Sequence, residues 1–342
     1  MIDLRSDTVT LPSPAMREAM YRAELGDDVF GEDPTVNKLQ ELAAEKTGHE
    51  AALFVTSGTQ GNLVCLLANT KRGEAVICTN QAHIYHYEAG GASVVGGIIY
   101  NMLPSHRGMF DLAELESAIP AENVHVPRVS LIALENTQNR DGGVALTADQ
   151  QNAVIAVAAR HGIKTHLDGA RVFNASVALG VDVKTLTKPF TSVTFCLSKG
   201  LAAPVGSLVC GSKEFIVEAR RYRKMLGGGM RQAGVLAAAG IVAITQMVDR
   251  LAEDHANARL LAEAIAETPG LSIDLSAVQT DIVVWNVTQP GLAPAEFVSR
   301  VAKEGVGISP FPGTSKIRAV AHYGITRSDI EKAIVAIRRA AA

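Results

Sequence analysis

Hydrophobic positions in the first two thirds of the chain form short runs that alternate with helical segments. The runs are almost continuously apolar, as is typical of strands covered by helices on both faces. We predict strands at residues 51–55, 75–78, 129–134, 163–167, 192–197 and 207–210. This alternation predicts an α/β fold with a mainly parallel sheet.

Helix signals complete this region. Thr147 and Gln150 have the spacing of a capping box, and Gly162 follows the helix that they open. Beyond residue 211 the pattern changes to a basic helix at 214–225, a glycine run at 227–229, and Ala- and Leu-rich helices that continue to about residue 267.

The last part of the chain has the pattern of a smaller α+β domain. We predict strands at 271–275, 281–287 and 316–322 and helices from Ala295 and Asp329, the latter capped by Ser328 and Glu331. The division that follows is an N-terminal arm at 1–14, a large domain at 15–245 and a small C-terminal domain at 246–342.

Composition narrows the function classes. The chain has 342 residues, 47% of them hydrophobic, and a net charge of -3, so a broad cationic face for nucleic acid is not expected. The apolar stretch at 233–244 is shorter than the roughly 20 residues of a membrane span, and the charged amino terminus does not resemble a secretory signal. Isolated cysteines predict buried thiols and a cytoplasmic location; they are Cys65, Cys78, Cys196 and Cys210.

Three motifs in the α/β region carry candidate chemistry. The segment Ser57-Gly58-Thr59 follows a strand and opens a helix, so its amides could hold a phosphate or form a simple N-cap. Asp168 ends another strand, at the sheet edge where open α/β sheets bind ligands, and could instead pair with Arg171. Lys199 ends a third strand and is either a reactive amine or an exposed loop residue.

Together these groups fit pyridoxal 5'-phosphate. An acid beside the pyridine nitrogen keeps it protonated, and a lysine amine holds the aldehyde as a Schiff base. His83 and His86 have a metal-like spacing without an acidic partner in a zinc-hydrolase pattern, so we expect no metal there.

Ordered motifs along nearly the whole chain resemble the low-specificity L-threonine aldolases. The matching segments are Asp3 to Thr10, Gly26 to Pro34, Ser57 to Thr59, Ala82 to Ile84, Glu135 to Thr137, His166 to Arg171 and Leu197 to Leu201. The resemblance implies an aspartate-aminotransferase-like large domain (pyridoxal-phosphate fold type I). It also implies retro-aldol cleavage of L-threonine, L-allo-threonine and related β-hydroxy-α-amino acids to glycine and an aldehyde.

The resemblance also implies roles for individual residues. The cofactor-binding residues are Ser57, Gly58, Thr59, His83, Asp168, Arg171, Lys199, Lys224 and Arg231. In this family pattern His83 stacks on the pyridine ring, and Lys224 and Arg231 reach the phosphate of a neighbouring subunit. Substrate binding falls to Ser6, Tyr87, Arg171 and Arg318, although Tyr87 could be a packing residue. The catalytic residues are Lys199 and a base for the substrate hydroxyl, which is His83 or His125. The alternative for His83 is stacking alone, and the alternative for His125 is a surface position without a catalytic role.

The shared phosphate site implies a homo-oligomer of at least two subunits, and we expect a tetramer built as a dimer of dimers. Two positions depart from the family pattern: Gln138 replaces a histidine and Ala202 replaces a glycine. The alternative functions are another lyase or transferase of the same fold, or a protein that binds the cofactor without turnover.

Overall fold

A computed structural model describes residues 1–311 and 314–342. Its strands are β1 (Ile2–Asp3), β2 (Ala51–Val55), β3 (Ala75–Thr79), β4 (Ile99–Leu103), β5 (Val129–Glu135), β6 (Lys164–Asp168), β7 (Ser192–Cys196), β8 (Ser207–Gly211), β9 (Leu271–Ser272), β10 (Ile282–Val287), β11 (Val306–Gly307), β12 (Ser309–Pro310) and β13 (Lys316–Val320). Its helices are α1 (Pro14–Tyr21), α2 (Pro34–Thr47), α3 (Gly58–Asn69), α4 (His83–His86), α5 (Gly91–Gly96), α6 (Leu112–Ser117), α7 (Ala148–Arg160), α8 (Val172–Leu179), α9 (Val183–Thr187), α10 (Lys213–Met225), α11 (Gly234–Gln246), α12 (Leu251–Ala266), α13 (Pro294–Lys303) and α14 (Arg327–Ala341).

Seven strands form the large sheet, in the order β2-β8-β7-β6-β5-β3-β4. Strands β7 through β4 pair in parallel, and β8 runs antiparallel between β7 and β2. The mainly parallel sheet is confirmed, and each end of the six predicted strands lies within one residue of the observed end. The edge strand β4 was not predicted because its side chains are half-buried or exposed and Asn101 interrupts its apolar run. The carboxyl ends of the parallel strands share one edge of the sheet.

Helix caps account for one success and one error. The predicted box of Thr147 and Gln150 is present at the start of α7. At α14 the prediction was wrong: the N-cap is Thr326, whose hydroxyl accepts from the amide of Asp329, while the Asp329 carboxylate accepts from the amide of Thr326. The helix therefore begins two residues earlier than predicted.

The small domain is built on an antiparallel sheet in the order β12-β13-β10-β9. The predicted strand at 271–275 is shorter than expected, because Asp274 caps a 3₁₀ turn at Leu275–Ala277. Strand β1 pairs in parallel with β11, and Leu4 packs in the small domain's core. The amino terminus is thus bound to the opposite end of the chain, which brings the residues after it to the space between the two domains.

The largest hydrophobic core of the large domain and the core of the small domain meet in α12. Leu251, at its start, packs in the larger core, and Ala258, two turns later, packs in the smaller one. Among the described residues, no single helix is long and apolar enough to cross a membrane; α11 and α12 reach that length and composition only as a pair, bent by 71°.

Candidate active site

The turn between β2 and α3 has the geometry of an anion cradle. Ser57 is the N-cap, and its Oγ accepts from the amide of Gln60 at 3.1 Å. A Cβ on Gly58 would lie 2.8 Å from Cys196 Sγ, so only glycine fits against β7. The first amides of a helix have no partner within it and favour a bound anion. The N-cap interpretation of this motif is confirmed, and its role in binding a phosphate stays a prediction.

Asp168 and Lys199 both come to the carboxyl edge of the sheet. Asp168 ends β6 and is almost fully buried, and its carboxylate accepts from Asn62 Nδ2 at 2.9 Å and from the amide of Ala170 at 3.1 Å. Lys199 follows β7 in a half-buried turn closed by a hydrogen bond from the amide of Ala202 to its carbonyl. The Thr10 hydroxyl donates to the Lys199 carbonyl at 3.3 Å, which connects this turn to the amino-terminal arm.

His83 begins α4, directly beside two buried acids. Its amide donates to Glu135 Oε2 at 2.8 Å, and its Nδ1 lies 2.9 Å from Glu88 Oε1. Burial opposes a charge on the His83 ring, but Glu88, Asp168 and Glu135 together raise its pKa above the usual value. Burial, followed by the charge of Asp168, raises the pKa of Glu135 to about 7. The Nδ1 face of His83 is therefore committed to Glu88.

Arg171 pairs with the amino-terminal arm and not with Asp168. Its Nε and Nη2 donate to the two carboxylate oxygens of Asp7, both at 2.7 Å, and both side chains are buried. Burial opposes the Asp7 charge, but Arg171 outweighs that effect and lowers the pKa of Asp7 to about 2. This pairing uses one edge of the guanidinium. The expected role of Arg171 as a carboxylate or cofactor ligand stays a prediction.

Arg318 is held by two neutral groups. It lies on β13, where Nη1 donates to Asn139 Oδ1 at 3.0 Å and Nη2 to the carbonyl of Arg5 at 3.3 Å, so both partners are neutral. The guanidinium also lies 5.8 Å from the centre of the Phe311 ring. Ser6, the residue after Arg5, uses its hydroxyl to cap the 3₁₀ turn at Asp7–Val9 and stays beside this group.

Tyr87 lies on the other side of the opening between the two domains. Its hydroxyl accepts from Arg140 Nη1 at 2.7 Å, and its ring centre is 5.2 Å from that of His83. Arg140 also lies over the Phe311 ring, at 5.5 Å from its centre. Tyr87 therefore reaches the rim of the same opening, held by a cation rather than packed in a core.

Three predicted residues are not brought to this place within the chain. His125 is exposed in the loop before β5, at the end of that strand opposite Glu135, roughly 20 Å away at about 3.3 Å per residue. Arg231 pairs with Asp27 at 2.9 Å and is half-exposed. Lys224 lies against Gly229 beside an apolar surface cavity that Val217 and other residues line.

Sequence reasoning missed several polar residues of the site. They are Asp7, Asn62, Glu88, Glu135, Asn139, Arg140 and His166. Glu135 could have been found, because it ends a parallel strand as Asp168 does, and the two are paired in register. Asn62 lies one turn after Gly58 on α3, so helical spacing alone would have directed attention to it. Asp7 and Glu88 had no comparable local signal, since their roles depend on distant partners.

The donor set fits pyridoxal phosphate. A phosphate would take the first turn of α3, where Gly58 leaves no room for a side chain. The ring nitrogen would meet Asp168, whose carboxylate accepts hydrogen bonds from two N–H groups. His83 would cover the ring, and the Lys199 amine would face the aldehyde. The order of these groups across the sheet is that of a single bound molecule.

Comparison with known proteins now gives the class. The Beta-eliminating lyase family matches residues 3–288 of the chain. The threonine aldolase of Leishmania major has the same fold over the full length of both chains, with a TM-score of 0.84 at 19% identity. The serine palmitoyltransferase of Sphingomonas wittichii matches with a TM-score of 0.79 at 17% identity, over 99% of this chain and 86% of that one. The fold is that of the pyridoxal-phosphate lyases and transferases of fold type I, which confirms the fold prediction.

Sequence relatives give a narrower assignment. Low-specificity L-threonine aldolase 1 of Arabidopsis thaliana is 45% identical over 344 residues, 99% of this chain and 96% of that protein. The low specificity L-threonine aldolase of Escherichia coli is 43% identical over 331 residues, 96% of each chain. The chain belongs to the low-specificity L-threonine aldolase family of β-eliminating-type lyases, and its cofactor is pyridoxal phosphate.

Proposed function

We propose that the protein cleaves L-threonine and L-allo-threonine, and other β-hydroxy-α-amino acids, to glycine and an aldehyde. One observation carries the proposal: Lys199, Asp168 and His83 meet at one sheet edge, facing the small domain's Arg318. The names of relatives at 43–45% identity support the same reaction.

The chain's own groups divide the work. The first turn of α3 binds phosphate, Asp168 holds the charge on the ring nitrogen, and Lys199 provides the amine that binds the aldehyde. Bound pyridoxal phosphate supplies a ring that accepts the electron pair released when a bond at the substrate's Cα breaks. We assign the stacking position on that ring to His83.

Substrate orientation falls to the opening between the domains. The partners of Arg318 are the uncharged carbonyl groups of Asn139 and Arg5, so its guanidinium charge is available to bind the substrate carboxylate. Ser6 adds a hydroxyl beside it, and Tyr87 borders the substrate side chain. In this assignment Arg171 supports the clamp by holding Asp7 and does not itself contact the carboxylate.

The reaction needs a base for the β-hydroxyl proton as the Cα–Cβ bond breaks. We assign this role to His83, acting through its Nε2 atom, because Nδ1 is taken by Glu88. His125 remains the alternative base, and only from another copy of the chain, since its own site lies at the opposite end of β5.

We propose a homo-oligomer, a tetramer made of two dimers, in which Lys224 and Arg231 reach the phosphate of a neighbouring copy. Exposed Val217 and Met225 beside Lys224 support an interface at α10. We also assign the protein to the cytoplasm, since all four cysteines are free and buried. Mixing inactive Lys199→Ala chains with Arg231→Ala chains should recover activity if Arg231 acts between copies; no recovery in a verified hybrid would reject this arrangement.

Product analysis tests the function itself. The purified protein with pyridoxal phosphate and L-threonine should release glycine and acetaldehyde in equal amounts. A β-eliminating enzyme would release ammonia and a 2-oxo acid instead, and a carrier protein would bind the cofactor and release neither pair. Formation of ammonia without glycine would overturn the proposal.

A further inference from the structure

A buried chain of polar side chains runs through the large domain beneath the cofactor edge. Asn69 Nδ2 donates to Ser192 Oγ at 2.9 Å and to the Cys65 carbonyl at 3.0 Å. Ser192 Oγ lies 3.0 Å from His166 Nδ1, and His166 Nε2 lies 3.1 Å from Asn62 Oδ1. All of these side chains are buried, so their polar atoms depend on partners within the protein. In the described part of the chain, Asn69 Oδ1 lacks such a partner.

The hydrogen bonds of this buried series have one consistent direction of proton donation. Ser192 Oγ already accepts from Asn69, so its hydroxyl proton is free for His166 Nδ1. Burial lowers the pKa of His166 to about 4, so the ring is neutral. Because Nδ1 accepts the Ser192 hydroxyl proton, the single ring proton lies on Nε2. That proton goes to Asn62 Oδ1. Both N–H groups of Asn62 consequently point away from His166.

Two acids receive those N–H groups. Asn62 Nδ2 donates to Glu88 Oε1 at 2.7 Å and to Asp168 Oδ2 at 2.9 Å. The reversed amide would set its oxygen against two carboxylates and leave the His166 proton without an acceptor. The orientation of Asn62 is therefore determined by its partners on both sides.

Glu88 connects Asn62 to His83. The same Oε1 atom that accepts from Asn62 also lies 2.9 Å from His83 Nδ1. A ring nitrogen of His83 and one carboxylate oxygen each of Glu88 and Asp168 all lie within 4.8 Å of one another. A carboxylate at Nδ1 fixes the proton there and turns the lone pair of Nε2 outward, as in other acid–histidine pairs. Glu88 thereby determines which nitrogen of His83 can act as a base.

We propose that Asn62 and Glu88 are positioning residues that act as one unit: a single amide holds the acid that meets the cofactor's ring nitrogen and the acid that orients His83. This inference rests on the cofactor assignment but not on which amino acid is cleaved. Neither residue needs to contact the substrate, because Asn62 acts through Asp168 and Glu88 acts through His83.

Cofactor affinity tests the Asn62 contact. Asn62→Asp keeps the size of the side chain and replaces both donors by a third acid. The dissociation constant for pyridoxal phosphate, measured by fluorescence titration of the apoprotein, should rise ~10- to 100-fold, the range for losing a hydrogen bond to a charged group. The matched control is Asn101→Asp in the edge strand β4, where the amide donates only to the Ala118 carbonyl. Equal affinities for wild type and Asn62→Asp would overturn the inference.

A pH titration tests the Glu88 contact. His83 faces Glu88, Glu135, Asp168 and Lys199, and Glu88→Gln removes one acid while it keeps the size of the side chain. The pH dependence of the bound cofactor's visible absorption, and of kcat/KM where threonine is cleaved, should shift its His83-dependent step to lower pH. A merely structural Glu88 would leave that step in place, and such a result would reject the positioning role.

The two variants also test whether the residues act as one unit. In a double-mutant cycle, Asn62→Asp should change the absorption step much less in the Glu88→Gln background than in wild type. Additive effects would contradict the unit. If wild type binds the cofactor, shows these responses and releases no glycine from threonine, the proposed function fails and this inference stands. If Asn62→Asp does not fold, Glu88→Gln alone still decides the His83 contact.

Discussion

The cofactor side and the substrate side of the site are built in different ways. The cofactor side uses the ends of parallel strands and the first turn of α3, all within the large sheet. The substrate side combines the amino-terminal arm, the end of α4 and strand β13, which come from distant parts of the chain. Groups on the first side are fixed by one rigid element, whereas groups on the second depend on the contact between domains.

The largest expected effect is on the cofactor side. Lys199→Ala removes the amine that binds the aldehyde, and we expect threonine cleavage to fall roughly 10³-fold or more. The visible absorption of the bound cofactor should change as well. The control is Lys316→Ala, which changes an exposed lysine on β13. Retention of both activity and absorption would remove Lys199 from the chemistry.

The same contrast explains what could be predicted from sequence. Asp168, Lys199 and Ser57 were found because apolar runs locate strand ends, and parallel strand ends share one edge. The alternative pairing of Arg171 with Asp168 was wrong, since nothing near Arg171 in sequence reveals that Asp7 lies against it. Asn62 and Glu88 escaped notice because a buried hydrogen-bond chain has no local pattern. His125 came from resemblance alone, and its own strand carries it away from the edge.

The next effect concerns the substrate side. Arg318→Ala should raise KM for threonine about 10- to 100-fold, with a smaller change in kcat, because a carboxylate contact is made before and during bond cleavage. Steady-state kinetics of cofactor-saturated enzyme measure this split. Arg327→Ala, which removes an exposed arginine paired with Glu331, is the control. An unchanged KM would exclude Arg318 from the clamp.

For Arg171 we expect an effect on stability, whereas for Arg318 we expect an effect on KM. Arg171→Ala leaves the buried Asp7 carboxylate without its partner, and we expect a loss of about 3–5 kcal/mol in the free energy of unfolding. Urea unfolding of the apoprotein measures this loss without any substrate. A variant of normal stability with a raised KM would show that Arg171 binds substrate directly and would reverse our assignment.

A smaller effect is expected at Asp281, where the small domain faces the Asp7–Arg171 pair. Neither of its carboxylate oxygens has a hydrogen-bond partner in the described part of the chain, and burial, then the charge of Asp7, raises its pKa to about 7. A folded pKa above the unfolded value near 3.9 means that the stability from protonation is complete below about pH 4. It is lost as the pH rises through 7.

Asp281→Asn cannot ionise, so its advantage over wild type should grow between pH 4 and 8. We expect the gain to approach its full value above about pH 7, at ~1.4 kcal/mol for each unit by which the folded pKa exceeds the unfolded one. Thermal or urea unfolding across this pH range measures the difference, with the exposed Asp249→Asn as control. A gain that is independent of pH would mean that Asp281 is not the titrating group.

The smallest effect returns to the cofactor side, in the turn that carries Lys199. Ala202 is fully buried with φ +62, although the sequence suggested that it adds only a methyl group. This left-handed conformation costs an alanine roughly 1–2 kcal/mol, of which the greater freedom of an unfolded glycine cancels about 0.5–1 kcal/mol. Ala202→Gly should therefore stabilise the protein by about 0.5 kcal/mol or slightly more.

Ala203→Gly is the matched control for that turn, because Ala203 is equally buried but is not among the residues with positive φ. It should destabilise the protein by about 1 kcal/mol, so the two changes have opposite signs. If Ala202→Gly raises stability and leaves cofactor affinity unchanged, strain in the lysine turn is not needed to position the amine. If it weakens cofactor binding, the strained alanine itself helps to hold Lys199, and the cofactor side is less rigid than its sheet suggests.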